Sequence, residues 1–325
     1  MGKIYIYYHA DFDGACSAYL VFNLLKKIGY DPEIVDLVDY SMFTASDWEQ
    51  QKIEIKKPAC CVDFHYRPDV EVFFDHHAKK YDNISKETKI FIDVANPSCF
   101  EVILDYAKKN KIDLREFQDL EEIKKWCRII DSALFNEYGI PPAEVILPTI
   151  PVLKIAKSMV SRNIPTVRLI LEHLLAGDSL LKISQLDEIK QTAQTYTKSL
   201  EKILPSLKKK IEYSSEKHKK IGLVTYDTSE IGFERYLPFY FFPECTLAIG
   251  ISVMNDSKAI YIRASQNPWK ENIKEIMEKI NLGEIFKKYG GGGHNRVGSL
   301  FCETKEVAIE KMQKIILEVE SRLEK

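Results

Sequence analysis

The sequence predicts an α/β fold: an N-terminal parallel-sheet domain with helices on both faces, a long connecting helix and a smaller C-terminal α/β domain. Three observations carry this expectation. Short apolar, β-rich runs at residues 4–8, 34–38, 59–62, 70–74 and 89–94 alternate with helical segments, the pattern of parallel strands joined by crossover helices. Residues 98–220 then read as mostly helical, and 180–220 reads as one long amphipathic stretch kinked at Pro205. Strand-like runs return at 221–226, 246–253 and 259–264, with helix-like stretches at 272–280 and 305–323. The change of pattern divides the chain into domains at 1–190 and 220–325, joined by a helical linker at 191–219. A length of 325 residues suits two domains.

The first run ends at His9. A helix is expected from about residue 15 to 28, because Ala18, Val21, Phe22 and Leu25 recur at helical spacing. Gly29 stands where a helix stop belongs. The third run ends in Asp63 and the fourth in Asp75. All the polar groups that follow these runs therefore sit at the carboxyl ends of strands, the edge where open α/β sheets bind ligands.

A hydrophobic fraction of 45% and a charged fraction of 29% describe an ordinary globular protein with a sizeable core. They exclude a disordered, collagen-like or disulfide-scaffold chain. A net charge of −2 argues against a broad basic surface for long duplex DNA. Only residues 181–220 are basic, at a net +5; they read first as a solvated helix face, and otherwise as a wall beside a groove for a short anionic ligand. Seven cysteines without a CxxC pair imply no structural zinc and reduced thiols, hence a cytoplasmic protein. The segment after Met1 is too short and aromatic for a signal peptide. The most apolar window, 236–254, contains Glu244, Pro238 and Pro243, and reads as buried strands and a turn, with no membrane partner implied.

Four motifs carry chemistry. In His9-x-Asp11-x-Asp13-Gly14, alternate residues of an extended segment face the same way, and Gly14 lets the chain turn into the helix. One imidazole with two carboxylates is a hard N/O ligand set that suits Mn²⁺, Mg²⁺ or Fe²⁺. The same residues also suit a simple helix cap by Asp13. Asp63 follows a buried strand, where a capping role is equally common. Asp75-His76-His77 follows another; two adjacent histidines point in different directions, so their roles must differ if both act in one site. Farther on, Gly290-Gly291-Gly292-Gly293-His294 removes every Cβ from a stretch whose amides could then approach a phosphate, or it is a flexible turn.

In type and order, His9-x-Asp11-x-Asp13-Gly14, Asp63 and Asp75-His76-His77 resemble the DHH phosphoesterases. That family's fourth motif, an isolated Asp, is best matched by Asp131 in the run Arg128 to Ala133, with Asp93 as competitor. The glycine run ending in His294, and Arg263 in Tyr261-Ile262-Arg263-Ala264-Ser265, resemble the family's first type of associated C-terminal domain; Val297 and Ala264 depart mildly from its usual pattern. The resemblance covers almost the whole chain and is weakest between residues 135 and 200.

The resemblance implies two divalent metal ions, Mn²⁺ foremost, with Mg²⁺, Co²⁺ or Fe²⁺ as alternatives. His9, Asp11 and Asp63 would hold one ion; Asp13, Asp63, His76 and Asp131 would hold the other, with Asp63 bridging. Asp63, His76 and His77 would be the catalytic residues, His77 orienting a ligand or hydrogen-bonding the substrate phosphate. Arg263, Ser265, Gly291, Gly292, Gly293 and His294 would bind substrate. The implied activity is hydrolysis of short RNA or DNA oligonucleotides, resembling the NrnA nanoRNases, with 3′-phosphoadenosine 5′-phosphate as a further substrate. Cyclic or linear dinucleotide hydrolysis, a RecJ-like exonuclease and a catalytically dead scaffold are the alternatives, and a homodimer stays open. The Gly-His signature argues against a type II inorganic pyrophosphatase.

Overall fold

The computed structural model describes residues 2–38, 45–77, 88–117, 119–159, 164–229, 234–253, 259–270 and 279–323. The chain runs β1 (Lys3–His9), α1 (Phe12–Lys27), β2 (Asp31–Val38), α2 (Ala45–Glu49), β3 (Ala59–Val62), β4 (Val72–Asp75), β5 (Lys89–Ile92), α3 (Cys99–Lys109) and α4 (Leu120–Asp131). It continues through α5 (Pro142–Ile146), α6 (Pro151–Met159), α7 (Ile164–Leu175), α8 (Leu180–Ser184), α9 (Asp187–Lys208), β6 (Ile211–Glu212) and α10 (Glu216–Ile221). It closes with β7 (Leu223–Asp227), α11 (Leu237–Phe241), β8 (Leu247–Val253), β9 (Ile260–Gln266), α12 (Leu282–Lys288), β10 (Gly292–His294), β11 (Val297–Cys302) and α13 (Lys305–Leu323). The α/β class and the two sheets are those the sequence predicts. No helix among the described residues is long and apolar enough to cross a membrane. All seven cysteines are buried and free.

The chain forms two compact units, Met1–Leu134 with Thr149–Tyr196, and Phe135–Pro148 with Thr197–Lys325. Nothing in the sequence marks the excursion of 135–148 into the second unit. It is held there by aromatic packing: Phe135 stacks on Trp269 at 5.6 Å, and Trp269 Nε1–H donates to Ile140 O at 2.6 Å.

In the first unit five parallel strands take the order β2-β1-β3-β4-β5. Every residue of β3 and β4 is buried, as befits parallel strands covered on both faces. α1 packs against β1 and against α3, α4 and α7. A second cluster joins Trp48 of α2 to Tyr7, Cys61, Phe64, Tyr66 and Phe73. Trp48 has no exposed surface; its Nε1–H donates to His65 O at 2.7 Å, and the buried Arg67 guanidinium lies 4.5 Å from its ring. β1 lies between β2 and β3, so the chain leaves it in opposite directions and opens a crevice at the carboxyl ends of β1 and β3.

Two local expectations change. α1 begins at Phe12, three residues before the expected start, because Asp11 is its N-cap: the carboxylate accepts the Gly14 N–H at 2.9 Å. Asp13 therefore is not the cap. Gly14 is needed for space and not for a turn, since a Cβ there would come within 2.2 Å of His9 O. Residues 180–220 are not one helix: α9 carries Pro205 inside it and ends at Lys208, after which β6 pairs with β7 and Ser215 caps α10.

The second unit is built on a six-stranded sheet in the order β10-β11-β9-β8-β7-β6, antiparallel except for β7–β8. One face packs Leu247, Ile249, Ile262 and Leu300 against Phe286 of α12 and Ile315 and Val319 of α13. The helix expected at 272–280 falls almost wholly outside the described residues.

Replacing Trp48 with Ala removes the centre of the second cluster. The expected loss is about 3–5 kcal/mol, read by urea denaturation followed by circular dichroism; a loss below about 1 kcal/mol would mean that α2 does not contribute to the folded unit.

Candidate metal centre

The ends of four elements, β1, β3, β4 and α4, deliver the groups of the cluster. β1 ends at His9 and leads into Asp11 and Asp13. β3 leads into Asp63, which adopts a left-handed backbone (φ 56°) and donates its N–H to Phe74 O at 3.0 Å. An Asp tolerates that conformation better than most residues. β4 ends in Asp75, followed by His76 and His77. Asp131 is the last residue of α4.

The distances bring these groups together. His9 Nδ1 lies 2.8 Å from Asp11 Oδ2 and 3.9 Å from Asp63 Oδ2. His76 Nε2 lies 3.0 Å from Asp131 Oδ2 and 3.6 Å from Asp63 Oδ1, and His77 Nδ1 lies 3.9 Å from Asp63 Oδ1. The adjacent histidines thus converge on Asp63, with ring centroids 4.3 Å apart. Three overlapping triads have ligand atoms within 4.8 Å of one another: His9–Asp11–Asp63, Asp63–His76–His77 and Asp13–His76–Asp131. Asp63 and His76 are each shared by two of them.

Other residues hold these groups in place. Asp75 is wholly buried; its Oδ1 accepts from His76 N at 2.8 Å, His77 N at 3.2 Å and His77 Nδ1 at 2.7 Å. Asp13 reaches the start of α3, accepting the Cys99 N–H at 2.7 Å and the Phe100 N–H at 3.3 Å. Those amides are otherwise unpaired at a helix N-terminus, and they favour an anion there. The Arg128 guanidinium forks onto Glu101 at 2.9 and 2.8 Å, tying α4 to α3. Beside Asp131, Ser132 Oγ donates to Pro97 O at 2.7 Å. Phe64 lies against the His9 ring at 5.5 Å. Asp93, the competitor for the isolated position, instead accepts from Ala95 N at 3.0 Å and Asn96 Nδ2 at 3.2 Å, and belongs to none of the triads.

Residues 3–127 match the family model described as DHH family, N-terminal domain. No curated protein matches the chain in sequence. Among solved structures, the chain is similar to the pGpG-specific phosphodiesterase PggH of Vibrio cholerae, with a TM-score of 0.67 and 19% identity over 99% of this chain and 100% of that one. An exopolyphosphatase-related protein of Bacteroides fragilis gives 0.56 and 13%, over 100% and 94%. RecJ of Thermus thermophilus in complex with Mn²⁺ gives 0.57 and 11%, over 99% of this chain and 52% of RecJ. At these identities the similarity speaks for the fold.

The electrostatics of the cluster test whether cations fit it. Burial, and then the neighbouring Asp131, push the Asp13 carboxyl up to about 7. Burial and the surrounding Asp13, Asp11 and Asp131 push Asp63 well above the carboxylate range. Burial favours neutral His76, but the carboxylates of Asp131, Asp13 and Asp75 outweigh it and raise His76 to about 9. For Asp11, desolvation works upward, while His9 and the Gly14 N–H outweigh it and bring the group to about 2. Asp63 Oδ1 is buried and accepts no hydrogen bond within the described residues. A buried carboxylate oxygen without a donor, amid further carboxylates, is a costly arrangement that a divalent cation relieves. The donor set is hard, all oxygen and imidazole nitrogen, so Mn²⁺- or Mg²⁺-type ions fit it.

In the second unit, Arg263 and Ser265 of β9 line a cavity of about 210 Å³ together with Tyr226, Arg235, Gly293, Val297 and Ser299. Arg235 was not singled out in the sequence; no spacing links it to Arg263. Gly291, Gly292 and Gly293 serve a hairpin: β10 pairs with β11, and a Cβ at Gly291 or Gly293 would come within 2.4 Å of Ser299 O or 2.1 Å of Val297 O. The Gly291 N–H already donates to Phe286 O at 3.0 Å, which departs from the expectation that it reaches a phosphate. Gly292 has open space around it. His294 ends β10, and its side chain lies outside the described residues.

Two outcomes follow. A neutral Asp13 loses its stabilising effect as pH rises from about 4 through about 7, and a protonated His76 loses its own between about 6.5 and about 9. Cation-free protein should therefore have a lower Tm at about pH 8.5 than at about pH 5.5, and Mn²⁺ should raise Tm more at the higher pH. A larger Mn²⁺ shift at the lower pH would contradict the electrostatic reading. Gly14→Ala should displace His9 and weaken Mn²⁺ binding by at least about tenfold in isothermal titration; unchanged affinity would show that the His9 backbone yields without cost.

Proposed function

We propose that this protein is a metal-dependent phosphodiesterase that hydrolyses short RNA or DNA oligonucleotides, down to dinucleotides, and also takes 3′-phosphoadenosine 5′-phosphate. The observation that carries the reading is the set of overlapping triads sharing Asp63 and His76 at the switch point of the parallel sheet. The first ion would be held by His9, Asp11 and Asp63, the second by Asp13, Asp63, His76 and Asp131. When bound, two such cations, Mn²⁺ foremost, polarise a phosphoryl oxygen and lower the pKa of water.

The chain's own residues supply the rest. Asp63 offers one oxygen towards His9 and the other towards His76 and His77, which suits a bridging carboxylate. Asp75 accepts a hydrogen bond from His77 Nδ1 and so fixes the ring, leaving Nε2 for the substrate phosphate. The second unit, read as the substrate-binding domain of the first DHH-associated type, would grip a phosphate with Arg263, Ser265, Gly292, Gly293 and His294. The similarity to PggH over that protein's whole length supports linear dinucleotides within the substrate range. The protein is read as cytoplasmic.

The test is a Mn²⁺ assay on end-labelled RNA and DNA of about two, five and twenty-four nucleotides, with cyclic di-AMP and 3′-phosphoadenosine 5′-phosphate alongside. Rapid loss of the dimer with the longest strand nearly untouched is expected. Steady digestion of the longest strand would mean a RecJ-like exonuclease, and no turnover of any substrate would mean a scaffold. Asp63→Asn, which keeps the left-handed backbone accessible, should cut turnover by more than the roughly 10–100-fold typical of outer-shell changes. Near-normal turnover would refute the bridging role. Arg263→Ala should raise KM by about tenfold or more with a smaller change in kcat.

A further inference from the structure

The sheet of the second unit has one face covered by α12 and α13. Ile262 and Leu300 point into that core. Their strand neighbours point the other way, as alternation requires. On that side Arg263 lies opposite Ser299, and Tyr261 lies opposite Phe301, in adjacent rows of the β9–β11 ladder. The second row is aromatic. Phe301 is 55% exposed, and its ring meets Tyr261 at 5.8 Å and 64°. The Arg263 guanidinium lies 5.3 Å from the Tyr261 ring centroid, so charge and ring already form one surface. The two rows are two residues apart along β9, about 7 Å on an antiparallel strand.

The cavity at Arg263 is small. Its volume of about 210 Å³ is below the roughly 300–1,000 Å³ of a site that encloses a drug-sized ligand. Two guanidiniums, Arg263 and Arg235, and the hydroxyls of Ser265 and Ser299 line it, a complement for phosphate. A nucleotide whose phosphate enters there must leave its base outside, and the aromatic row is next to it.

We propose that Tyr261 and Phe301 form a base-stacking platform for the nucleotide whose phosphate is held at Arg263. This rests on the oligonucleotide reading above and deepens it. Stacking on a ring face tolerates every base, so the platform recognises a nucleobase as such and not a particular one. It would separate oligonucleotides from other phosphate compounds, such as polyphosphate, that could equally enter an arginine-lined cavity.

The test uses the full chain loaded with Mn²⁺ and a dinucleotide carrying 2-aminopurine and a non-hydrolysable methylenephosphonate linkage. An abasic analogue of the same compound is the control. Wild-type protein should quench the 2-aminopurine fluorescence. Phe301→Ala, a change at an exposed position, should weaken the base-bearing ligand by at least about fivefold and leave the abasic one within about twofold. Phe301→Tyr should keep the wild-type affinity, and Arg263→Ala should weaken both ligands. If Phe301→Ala weakens both alike, or neither, the platform is refuted. So too if Phe301→Ala changes the sedimentation coefficient, for the patch is then covered by a second copy. If wild-type protein hydrolyses oligonucleotides and yet Phe301→Ala does not discriminate the base, the platform alone fails. If wild-type protein neither binds nor hydrolyses them, the oligonucleotide reading falls with it.

Discussion

Mutual repulsion among carboxylates at one sheet edge is the constraint around which the first unit is organised. Asp11, Asp13, Asp63, Asp75 and Asp131 all enter the same crevice. Two unit charges about 4 Å apart repel by about 4 kcal/mol at the effective dielectric of a protein surface. Each carboxylate except one meets a specific offset. Asp75 takes three N–H groups, Asp13 the free amides of α3, Asp11 the His9 ring and the Gly14 amide, and Asp131 the His76 ring. Of these five, only Asp63 keeps a buried oxygen without a donor among the described residues. The residue whose buried carboxyl oxygen is left without a donor is also one that two triads share.

The offsets of Asp13 and Asp131 come from elements far apart in sequence, which is why the fold has to be rigid there. The amides that hold Asp13 belong to α3, some 86 residues onward. The Glu101–Arg128 fork ties α3 to α4, so the element that anchors Asp13 is coupled to the one that carries Asp131. On the sheet, β1 and β3 are neighbours, and that pairing brings His9 and Asp63 to one edge. The second unit follows a different logic: one sheet face is committed to α12 and α13, and the other carries arginine, hydroxyl and aromatic side chains in register.

Much of the site was legible because strand ends are legible. An apolar run followed by Asp or His implies a group delivered to the carboxyl edge, and His9, Asp63 and Asp75–His77 were found that way. Asp131 is different. It ends an amphipathic helix, where no periodicity distinguishes it from any polar terminus, and only the family resemblance preferred it over Asp93. In the structure Asp93 spends its oxygens on its own turn, whereas Asp131 reaches His76. The glycine run was read through its lack of Cβ atoms, but Gly291 and Gly293 owe that lack to a neighbouring strand. Arg235 and the Tyr261–Phe301 row leave no trace in spacing: Arg235 lines the cavity from the turn before α11, and cross-strand register sets Tyr261 and Phe301 beside Arg263.

The α/β class, the two-sheet organisation and the strand-end acids and histidines follow from local periodicity and from the chemistry of single residues. Which of those groups meet is set by the fold. Strand order, the pairing of α3's free amides with Asp13, the shared position of Asp63 and the register that aligns aromatics with arginine all arise from contacts between distant segments. Such contacts are selected by burial and hydrogen bonding in the folded chain, and no local pattern encodes them.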